Sequence, residues 1–377
     1  RQRQMCIRDR VKQATFLVNG ISCDLEQGIL KVEFVTPDVV RVQYTGENTF
    51  IGNGTDVCLP RAVDNPVRWV YTPNPDCYLL KSDSLIVRVD LSTASITYLD
   101  KEGGLLLQED QNIPRISEKR VTKQVIYDEH SKHIEKTADG DKEIKNVLRY
   151  DTIGHTWKYR INFKWQPLEA LYGWGAHMED YMNLRGKELY LCQHNLKAMV
   201  PVLNSTAGYG LLFDAGCAMM FKDNSEGSFV ELEAAKQIDY YFMKGKTMDA
   251  VVANYRLLTG NSPMMPLYLF GYIQSKERYV SSDDLINTLK EYRQRQIPID
   301  MIVQDWNYWP EGQWGNMSMN PKFYPDKRKL ADEIHSLHAK LMISIWPNAM
   351  NCPQHEEFRR KGWLLSGTSV SVSYTHL

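Results

Sequence analysis

Asp305 and the aromatic residues behind it are the part of this sequence that points most directly to chemistry. Asp305 follows Pro298 and a short apolar run, Ile299 to Val303, that is rich in β-branched residues. This pattern predicts a strand buried on both faces in a parallel sheet. Ligands bind at the carboxyl ends of such strands, so the position favours a functional carboxylate. The alternative is a strand-end acid that only caps the neighbouring backbone.

Three of the nine tryptophans, Trp306, Trp309 and Trp314, lie close behind this carboxylate. Sugar rings offer apolar C–H faces to aromatic side chains and hydroxyl groups to a carboxylate. The segment therefore predicts a carbohydrate site in which Asp305 accepts hydrogen bonds from two sugar hydroxyls. Trp306 would narrow the pocket. Trp309 and Trp314 are predicted to lie at the rim of the pocket or to pack within a loop. Trp314 is the better candidate of the two for a sugar contact.

Other candidates follow the neighbouring apolar runs. Trp346 ends the next run directly before a proline, and it either lines the same pocket or lies in the core. Arg278, Lys276 and Glu277 follow the preceding run, and they either bind substrate or form ion pairs with one another. Two further acids, Glu311 and Asp326, have loop or helix-start contexts, and His177 and Glu179 are given no role.

Composition excludes several classes of function. The 45 basic and 46 acidic residues are interspersed and give a net charge of −1, which argues against a nucleic-acid surface or a polybasic membrane patch. No apolar run approaches the ~20 residues that span a bilayer. The seven cysteines lack disulfide or zinc spacing, so we expect reduced thiols and no metal. We also expect no cofactor and a cytoplasmic location. A neutral oligosaccharide or small molecule is the expected partner, and a homo-oligomer is possible.

The first two thirds of the chain have the pattern of a β-sandwich. From Thr15 to about Phe242, short apolar or alternating segments are separated by turn residues such as Asn53-Gly54. We assign residues 14–245 to this domain. Thr122 to Glu143 is charged and poor in apolar residues, which indicates either a long hairpin or loop or a disordered insert.

The last third alternates strands with helices. Met248 to Thr259 has helical spacing, so residues 246–265 are predicted to form a bridging helix and linker. Residues 266–368 then contain three predicted strands, separated by helices that begin near Ser282 and Asp326: Leu267 to Gln274, Ile299 to Gln304 and Lys340 to Trp346. This is the repeat of a (β/α)8 TIM barrel, of which about the first third is present.

Several short strings, in this order and spacing, resemble glycoside hydrolase family 31. They are Arg41 to Tyr44, Tyr172 to Gly175, Leu184 to Gly186, Gly271 to Tyr279, the Asp305 segment, and Met342 to Pro347. The resemblance covers roughly residues 14 to 365 and implies a galactose-mutarotase-like sandwich before the barrel. The tryptophan-rich second barrel strand is most similar to that of the family's α-xylosidases.

The resemblance implies a retaining α-glycosidase that hydrolyses terminal α-linked sugars. It matches Asp305 to the family's substrate-binding aspartate and Trp346 to a tryptophan of the same subsite. Both catalytic aspartates belong to later barrel strands, so no residue here receives a catalytic role and we expect the chain to be inactive. A bulky Trp306 favours xylose over glucose, although such discrimination amounts to only about 1–3 kcal/mol. α-Glucosidase and α-galactosidase activities stay open.

Two rival interpretations come from other classes. A β-sandwich with aromatic loops could be a non-catalytic carbohydrate-binding protein. A barrel enzyme for phosphorylated substrates is disfavoured, since no glycine-rich phosphate loop follows a predicted strand. Residues 1–13 and 369–377 are predicted to be a non-native leader and tail, because RQRQMCIRDR and VSVSYTHL resemble translated sequencing-adapter sequence. We therefore expect the chain to be a truncated fragment.

Overall fold

Two compact units make up the chain, one ending at Ser262 and one beginning at Pro263. The structure is a computed structural model that describes residues 9–52, 57–59, 66–137, 140–194, 196–346 and 349–363. The strands of the first unit are β1 (Val11–Phe16), β2 (Gly20–Leu25), β3 (Ile29–Thr36), β4 (Val39–Thr45), β5 (Trp69–Pro73), β6 (Cys77–Ser82), β7 (Leu85–Asp90), β8 (Ile96–Asp100), β9 (Leu105–Glu109), β10 (Arg115–Tyr127), β11 (His133–Thr137), β12 (Gly140–Ile144), β13 (Val147–Lys164), β14 (Leu171–Gly173), β15 (Glu188–Leu191), β16 (Val202–Ser205), β17 (Tyr209–Phe213), β18 (Met219–Asn224), β19 (Gly227–Ala235) and β20 (Ile238–Lys244). A 3-10 helix, Glu129–Ser131, lies between β10 and β11.

These strands form a β-sandwich, as predicted. One antiparallel sheet has the order β1-β2-β3-β4-β20-β17-β16-β14, and the other has the order β15-β18-β19-β13-β9-β8-β7-β6-β5, with β10 paired to β13. Side chains of both sheets meet in one core. In β7, for example, Leu85, Val87 and Val89 are each 0% exposed while their neighbours are half-buried. This alternation buries one face of each strand, which explains why apolar residues recur at every second position in these segments.

A buried ion pair lies within this core. The side chains of Glu109 and Arg115 are both 0% exposed, and the carboxylate accepts a hydrogen bond from the guanidinium at 2.5 Å. The same carboxylate also accepts hydrogen bonds from the backbone N–H of Ile96 at 2.9 Å and from the hydroxyl of Tyr240 at 3.0 Å. Several donors thus compensate the carboxylate for the water it has lost.

The charged segment from Thr122 to Glu143 forms hairpins, one of the two predicted alternatives. β10 pairs with β13 from Arg115 opposite Ile161 to Tyr127 opposite Val147. Nearer the tip, β11 pairs with β12. Residues 138 and 139 lie outside the described residues. The alternative of a disordered insert is wrong for the residues that the structure describes.

The predicted N-terminal boundary of the sandwich needs correction. The predicted leader extends to residue 13, but β1 begins at Val11 and pairs with β2, and Asp9 is only 8% exposed. Residues 9–13 therefore belong to the sandwich, because pairing with β2 satisfies the backbone hydrogen bonds of that segment. Residues 1–8 and the predicted tail, 369–377, lie outside the described residues.

The predicted bridging helix belongs to the first unit. Helix α1 (Met248–Thr259) begins after Thr247, whose side chain accepts a hydrogen bond from the backbone N–H of Ala250 at 3.2 Å. Its Val251 and Leu258 are buried in a cluster with residues of β17 and β20. An apolar helix face is stabilised by burial, so α1 packs on the sandwich and does not form a free connection.

The second unit begins as a TIM barrel, as predicted. Its elements are a 3-10 helix (Leu267–Phe270), β21 (Ile273–Gln274), α2 (Ser282–Gln294), β22 (Met301–Gln304), α3 (Lys327–Ser336), β23 (Lys340–Ile343) and α4 (Pro353–Lys361). The three strands form a parallel sheet in the order β21-β22-β23. Among the described helices of the whole chain, none is long and apolar enough to cross a membrane.

All three predicted barrel strands are too long, and the second begins at Met301 and not at Ile299. The sequence predicts one strand from Leu267 to Gln274, but residues 267–270 form a 3-10 helix in which the backbone N–H of Leu269 donates to the carbonyl of Pro266 at 3.0 Å. Periodicity alone does not separate such a short apolar turn from a strand. The third strand ends at Ile343 and not at Trp346. β22 ends at Gln304, which accepts the last bond from the N–H of Ser344 at 2.9 Å.

Helix packing holds the sheet in place. The side chain of Ser281 caps α2 by accepting from the N–H of Asp284 at 3.2 Å, and Asp326 caps α3 by accepting from Lys329 at 2.9 Å. The helices bury their apolar faces against the strands in one core, which contains Leu285, Leu289, Ile302, Leu330 and Ile334. The carboxyl ends of the strands are thus anchored to a packed layer.

Candidate carbohydrate site

Asp305 is the first residue after β22, at the carboxyl end of the parallel sheet. Its side chain is half-buried, and its backbone carbonyl accepts a hydrogen bond from the Gln304 side chain at 3.2 Å. Within the described part of the chain, no basic nitrogen lies within 4.0 Å of the carboxylate. Its oxygens can therefore accept hydrogen bonds from the hydroxyl groups of a ligand.

Gln304 joins two loops at this end of the sheet. It is 0% exposed, and its Nε2 also donates to the carbonyl of Tyr279 at 3.1 Å. The hydroxyl of Tyr324 donates to the same carbonyl at 2.9 Å. Burial raises the pKa of Tyr324 to about 12, so this hydroxyl stays protonated and remains a donor. Sequence reasoning missed these residues; the one available signal was a polar glutamine in an apolar strand.

Four tryptophans form one cluster beside Asp305. Every pair among Trp306, Trp309, Trp314 and Trp346 is in ring contact, with centroid distances from 5.3 to 6.4 Å. The rings are tilted or edge-on, the arrangements that aromatic quadrupoles favour. Trp306, Trp314 and Trp346 are half-buried, so part of each ring remains accessible. We call these four residues the tryptophan cluster.

Trp309 is not a rim residue, contrary to one of the predicted placements. It is 5% exposed and belongs to the hydrophobic core of the second unit. Its ring also meets Tyr308 edge-on at 5.3 Å. It therefore packs against the other three rings as a core residue. A ring enclosed in this way presents little surface to a ligand. The three half-buried members keep surface that a sugar could contact.

Glu277 provides the polar partner of the tryptophan cluster. The Nε1–H of Trp306 donates to Glu277 Oε1 at 3.1 Å. The alternative of ion pairs among residues 276–278 is wrong for these side chains, because the Lys276 ammonium lies 3.9 Å from the Asp284 carboxylate and 4.9 Å from the ring centre of Tyr279. Glu277 is thus free to accept from the indole.

Arg278 lies half-buried in the same loop. It lies four residues after the carboxyl end of β21, and its positive charge opposes the rise in the pKa of Tyr324. A cation in this loop can bind the hydroxyls of a sugar as a hydrogen-bond donor. The structure therefore places Arg278 at the same end of the sheet as Asp305.

The remaining polar candidates have structural partners or lie in loops. Asp326 caps α3, and Glu311 is exposed in a loop. In the first unit, Lys197 lies 2.9 Å from Glu179 and lowers the pKa of that carboxyl, while the ring of His177 packs near Tyr181. Across the described residues, no cluster of three or more His, Cys, Asp or Glu side chains could hold a metal ion.

The site combines an anionic acceptor with a wall of aromatic rings. Such a surface suits a neutral ring that has apolar faces and hydroxyl edges. Fold and site together define a protein with a β-sandwich and the first three strands of a TIM barrel, in which an acid and an aromatic cluster lie at the carboxyl ends of those strands.

Comparison with known proteins assigns the family. Residues 29–221 match the glycosyl hydrolase 31 N-terminal galactose mutarotase-like domain, and residues 262–375 match the glycosyl hydrolases family 31 TIM-barrel domain. The chain belongs to glycoside hydrolase family 31.

Similar proteins include several α-xylosidases. An alpha-xylosidase of Saccharolobus solfataricus is 28% identical over 351 residues, which cover 90% of this chain and 43% of that protein. Alpha-xylosidase A of Aspergillus niger is 25% identical over 219 residues, which cover 57% of this chain and 29% of that protein. The chain thus spans less than half the length of these relatives.

Solved structures share the fold. A family 31 α-xylosidase from a soil metagenome, complexed with xylose, superposes with a TM-score of 0.74 at 22% identity and covers 94% of this chain and 50% of that one. The α-xylosidase of Xanthomonas citri gives a TM-score of 0.73 at 19% identity, covering 92% of this chain and 51% of that one. At these identities the likeness shows the fold alone.

Proposed function

We propose that the polypeptide to which this chain belongs is a retaining α-glycosidase that removes terminal α-linked sugars, with α-xylosides as preferred substrates. One observation carries this proposal: at the carboxyl end of β22, the half-buried Asp305 directly precedes Trp306, a member of a cluster of four mutually contacting tryptophans. The α-xylosidases among the similar proteins support the same substrate class.

Each residue of the site has a role in this proposal. Asp305 accepts hydrogen bonds from two hydroxyls of the terminal sugar, and these charge-assisted bonds hold the ring for attack at its anomeric carbon. Trp346 and Trp314 offer ring faces to the sugar, and Arg278 donates to its hydroxyls. Two carboxylates on later barrel strands act as nucleophile and acid/base. This chain is then expected to be inactive by itself.

The preference for xylose rests on Trp306. Its ring contacts the other three members of the tryptophan cluster at 5.6 to 6.4 Å, so these contacts keep the ring within the pocket. Beside Asp305, the indole occupies space that the hydroxymethyl group of glucose would need and that xylose leaves empty. Discrimination of this kind is worth about 1–3 kcal/mol, or roughly tenfold to a hundredfold in kcat/KM.

The cysteines are compatible with the cytoplasmic location that we propose. No disulfide joins the six cysteines within the described residues, and Cys23, Cys58, Cys77 and Cys352 are buried. Reduced thiols are typical of the cytosol.

The test is to express the reading frame extended from the source DNA and to assay it with p-nitrophenyl α-xyloside, α-glucoside and α-galactoside. We expect the α-xyloside to give the highest kcat/KM and the first product, followed by NMR, to be the α-anomer. Initial release of the β-anomer would refute a retaining mechanism. Sugar binding without hydrolysis by the extended protein would favour the non-catalytic alternative.

The 377-residue chain provides a second arm of the test. It should hydrolyse none of the three glycosides, since both catalytic carboxylates are expected elsewhere. It should nevertheless bind methyl α-xyloside weakly, with a Kd of about 1 mM or above. A titration that follows tryptophan emission measures this binding. Turnover by the 377-residue chain at the rate of the extended enzyme would contradict the placement of the catalytic residues.

A further inference from the structure

We propose that Glu277 is a positioning residue that fixes the orientation of the Trp306 indole and so sets the preference between xylose and glucose. The proposal rests on the sugar-binding function proposed for the Asp305 site. It goes further by assigning part of the selectivity to an exposed carboxylate on the loop after β21, a residue whose proposed contact is with the tryptophan and not with the sugar.

The first step is the contact itself. An indole has a single polar group, and in Trp306 this Nε1–H donates to Glu277 Oε1 at 3.1 Å. The torsion that rotates an indole ring about its attachment bond is broad, so packing or a hydrogen bond must select one orientation. The bond to Glu277 holds the N–H edge of the ring toward the β21 loop.

The second step is that ring packing leaves room for other orientations. Trp306 meets Trp346 at 34°, Trp314 at 50° and Trp309 at 54° between ring planes. None of these contacts is a parallel stack, and tilted contacts accommodate either edge of an indole. Trp306 is also half-buried and is not enclosed as Trp309 is. The polar contact is therefore what distinguishes one edge of the ring from the other.

The third step is that Glu277 is available for this task. Within the described residues, no basic nitrogen lies within 4.0 Å of its carboxylate. Lys276, its neighbour, is directed to Asp284 at 3.9 Å. A hydrogen bond from a neutral donor to an ionised carboxylate is stronger than one between neutral groups. The carboxylate can therefore hold the indole even though Glu277 is exposed to water.

The fourth step is that the loop carrying Glu277 is itself held in place. Two residues further on, the carbonyl of Tyr279 accepts hydrogen bonds from Gln304 at 3.1 Å and Tyr324 at 2.9 Å. Gln304 directly precedes Asp305. The acceptor for the indole and the acceptor for the sugar are thus tied to the same strand end, so the orientation of Trp306 is set relative to Asp305.

The experiment compares Glu277→Ala, Glu277→Gln and a control, Glu291→Ala, in the 377-residue chain. Glu291 is an exposed acid on α2 that pairs with Arg295. The amide oxygen of glutamine can still accept from the indole, so Glu277→Gln should keep the orientation of the ring through a weaker bond. Two readouts are measured: the indole N–H resonance of Trp306, assigned with Trp306→Phe in chain labelled with ¹⁵N-tryptophan, and the ratio of the Kd values for methyl α-glucoside and methyl α-xyloside.

Glu277→Ala should shift the Trp306 resonance upfield and lower the glucoside-to-xyloside Kd ratio by about fivefold, within the range that a hydrophobic pocket provides. Glu277→Gln and Glu291→Ala should leave the Trp306 resonance close to its wild-type position. Both variants should keep the Kd ratio within about twofold of the wild type. A resonance that stays in place in Glu277→Ala overturns the role of Glu277 in fixing the indole. A shifted resonance with an unchanged ratio overturns its role in selectivity. A wild-type chain that binds neither sugar refutes the proposed function of the site and with it the selectivity role, while the resonance still decides whether Glu277 holds the indole.

Discussion

Replacing Asp305 by alanine in the extended enzyme should lower kcat/KM for an α-xyloside by at least about a hundredfold. The substitution removes both carboxylate oxygens at the carboxyl end of β22. In the proposed complex those oxygens accept hydrogen bonds from two hydroxyls of the terminal sugar. Without them, the anomeric carbon is no longer held where the nucleophile can attack.

The magnitude follows from the environment of the carboxylate. A hydrogen bond to a charged group contributes about 1.5–3 kcal/mol. Asp305 is half-buried, and no basic nitrogen of the described residues lies within 4.0 Å of it, so water competes for its oxygens in the free protein. We therefore take the low end of the range for each of two bonds, which gives about 3 kcal/mol, or slightly more than two powers of ten.

The stability of the fold should change little. Within the described residues, no side chain or backbone group donates a hydrogen bond to the Asp305 carboxylate, and its backbone carbonyl keeps the bond from Gln304 at 3.2 Å. We expect a change in the free energy of unfolding within about 0.5 kcal/mol. Asp332→Ala, which removes an exposed acid of α3, is the matched control and should alter neither kcat/KM nor stability.

The assay is steady-state hydrolysis of p-nitrophenyl α-xyloside, with thermal unfolding of each variant measured in the same buffer. A loss of less than about tenfold, with unchanged melting, would refute the reasoning. Asp305 would then be a strand-end acid without a binding role. A large loss accompanied by unfolding would instead assign it to the stability of the strand end.

Other substitutions test the pocket, the core and one buried carboxyl. Trp306→Ile should move the ratio of kcat/KM values toward glucosides by about tenfold, and an unchanged ratio would remove the reason for favouring xylose. Glu109→Gln should lower the free energy of unfolding, measured in urea, by about 3–5 kcal/mol, since it removes the ion-pair partner of the buried Arg115; Asp151→Asn, which breaks an exposed pair, should cost less than about 1 kcal/mol. Burial raises the pKa of Asp9 to about 6 from an ordinary value of 3.8, so the folded state binds the proton more tightly and loses stability as pH rises between these values. Asp9→Asn should therefore raise the melting temperature at about pH 7.5 and have little effect at about pH 3, and equal effects at both pH values would contradict the burial of this carboxyl.

Local patterns predicted the order of the elements and the position of the central carboxylate. Alternating residues such as those of β7 predicted sandwich strands because side chains of a strand alternate between two faces. The apolar run before Asp305 predicted a buried strand. Ser282 and Asp326 predicted helix starts; the structure makes Asp326 the cap of α3 and places the cap of α2 one residue earlier, at Ser281. All of these signals act within a few residues along the chain.

Boundaries and packing partners were less predictable. An apolar turn at Leu267–Phe270 has the composition of a strand, and its 3-10 hydrogen bonding is visible only in the structure. Val251 and Leu258 gave α1 an apolar face without indicating which surface would cover it. Pairing and burial depend on groups that are distant in sequence, so composition alone could not decide them.

The candidate site divides in the same way. By itself, the sequence determined that Asp305 follows a strand and that tryptophans lie near it, because strand ends and composition are local properties. Only the tertiary structure decided that Trp346 meets Trp306, that Trp309 is buried, and that Glu277 accepts from an indole 29 residues away. The parallel pairing of β21, β22 and β23 brings these segments to one edge of the sheet, and no pattern along the chain specifies which side chains then touch.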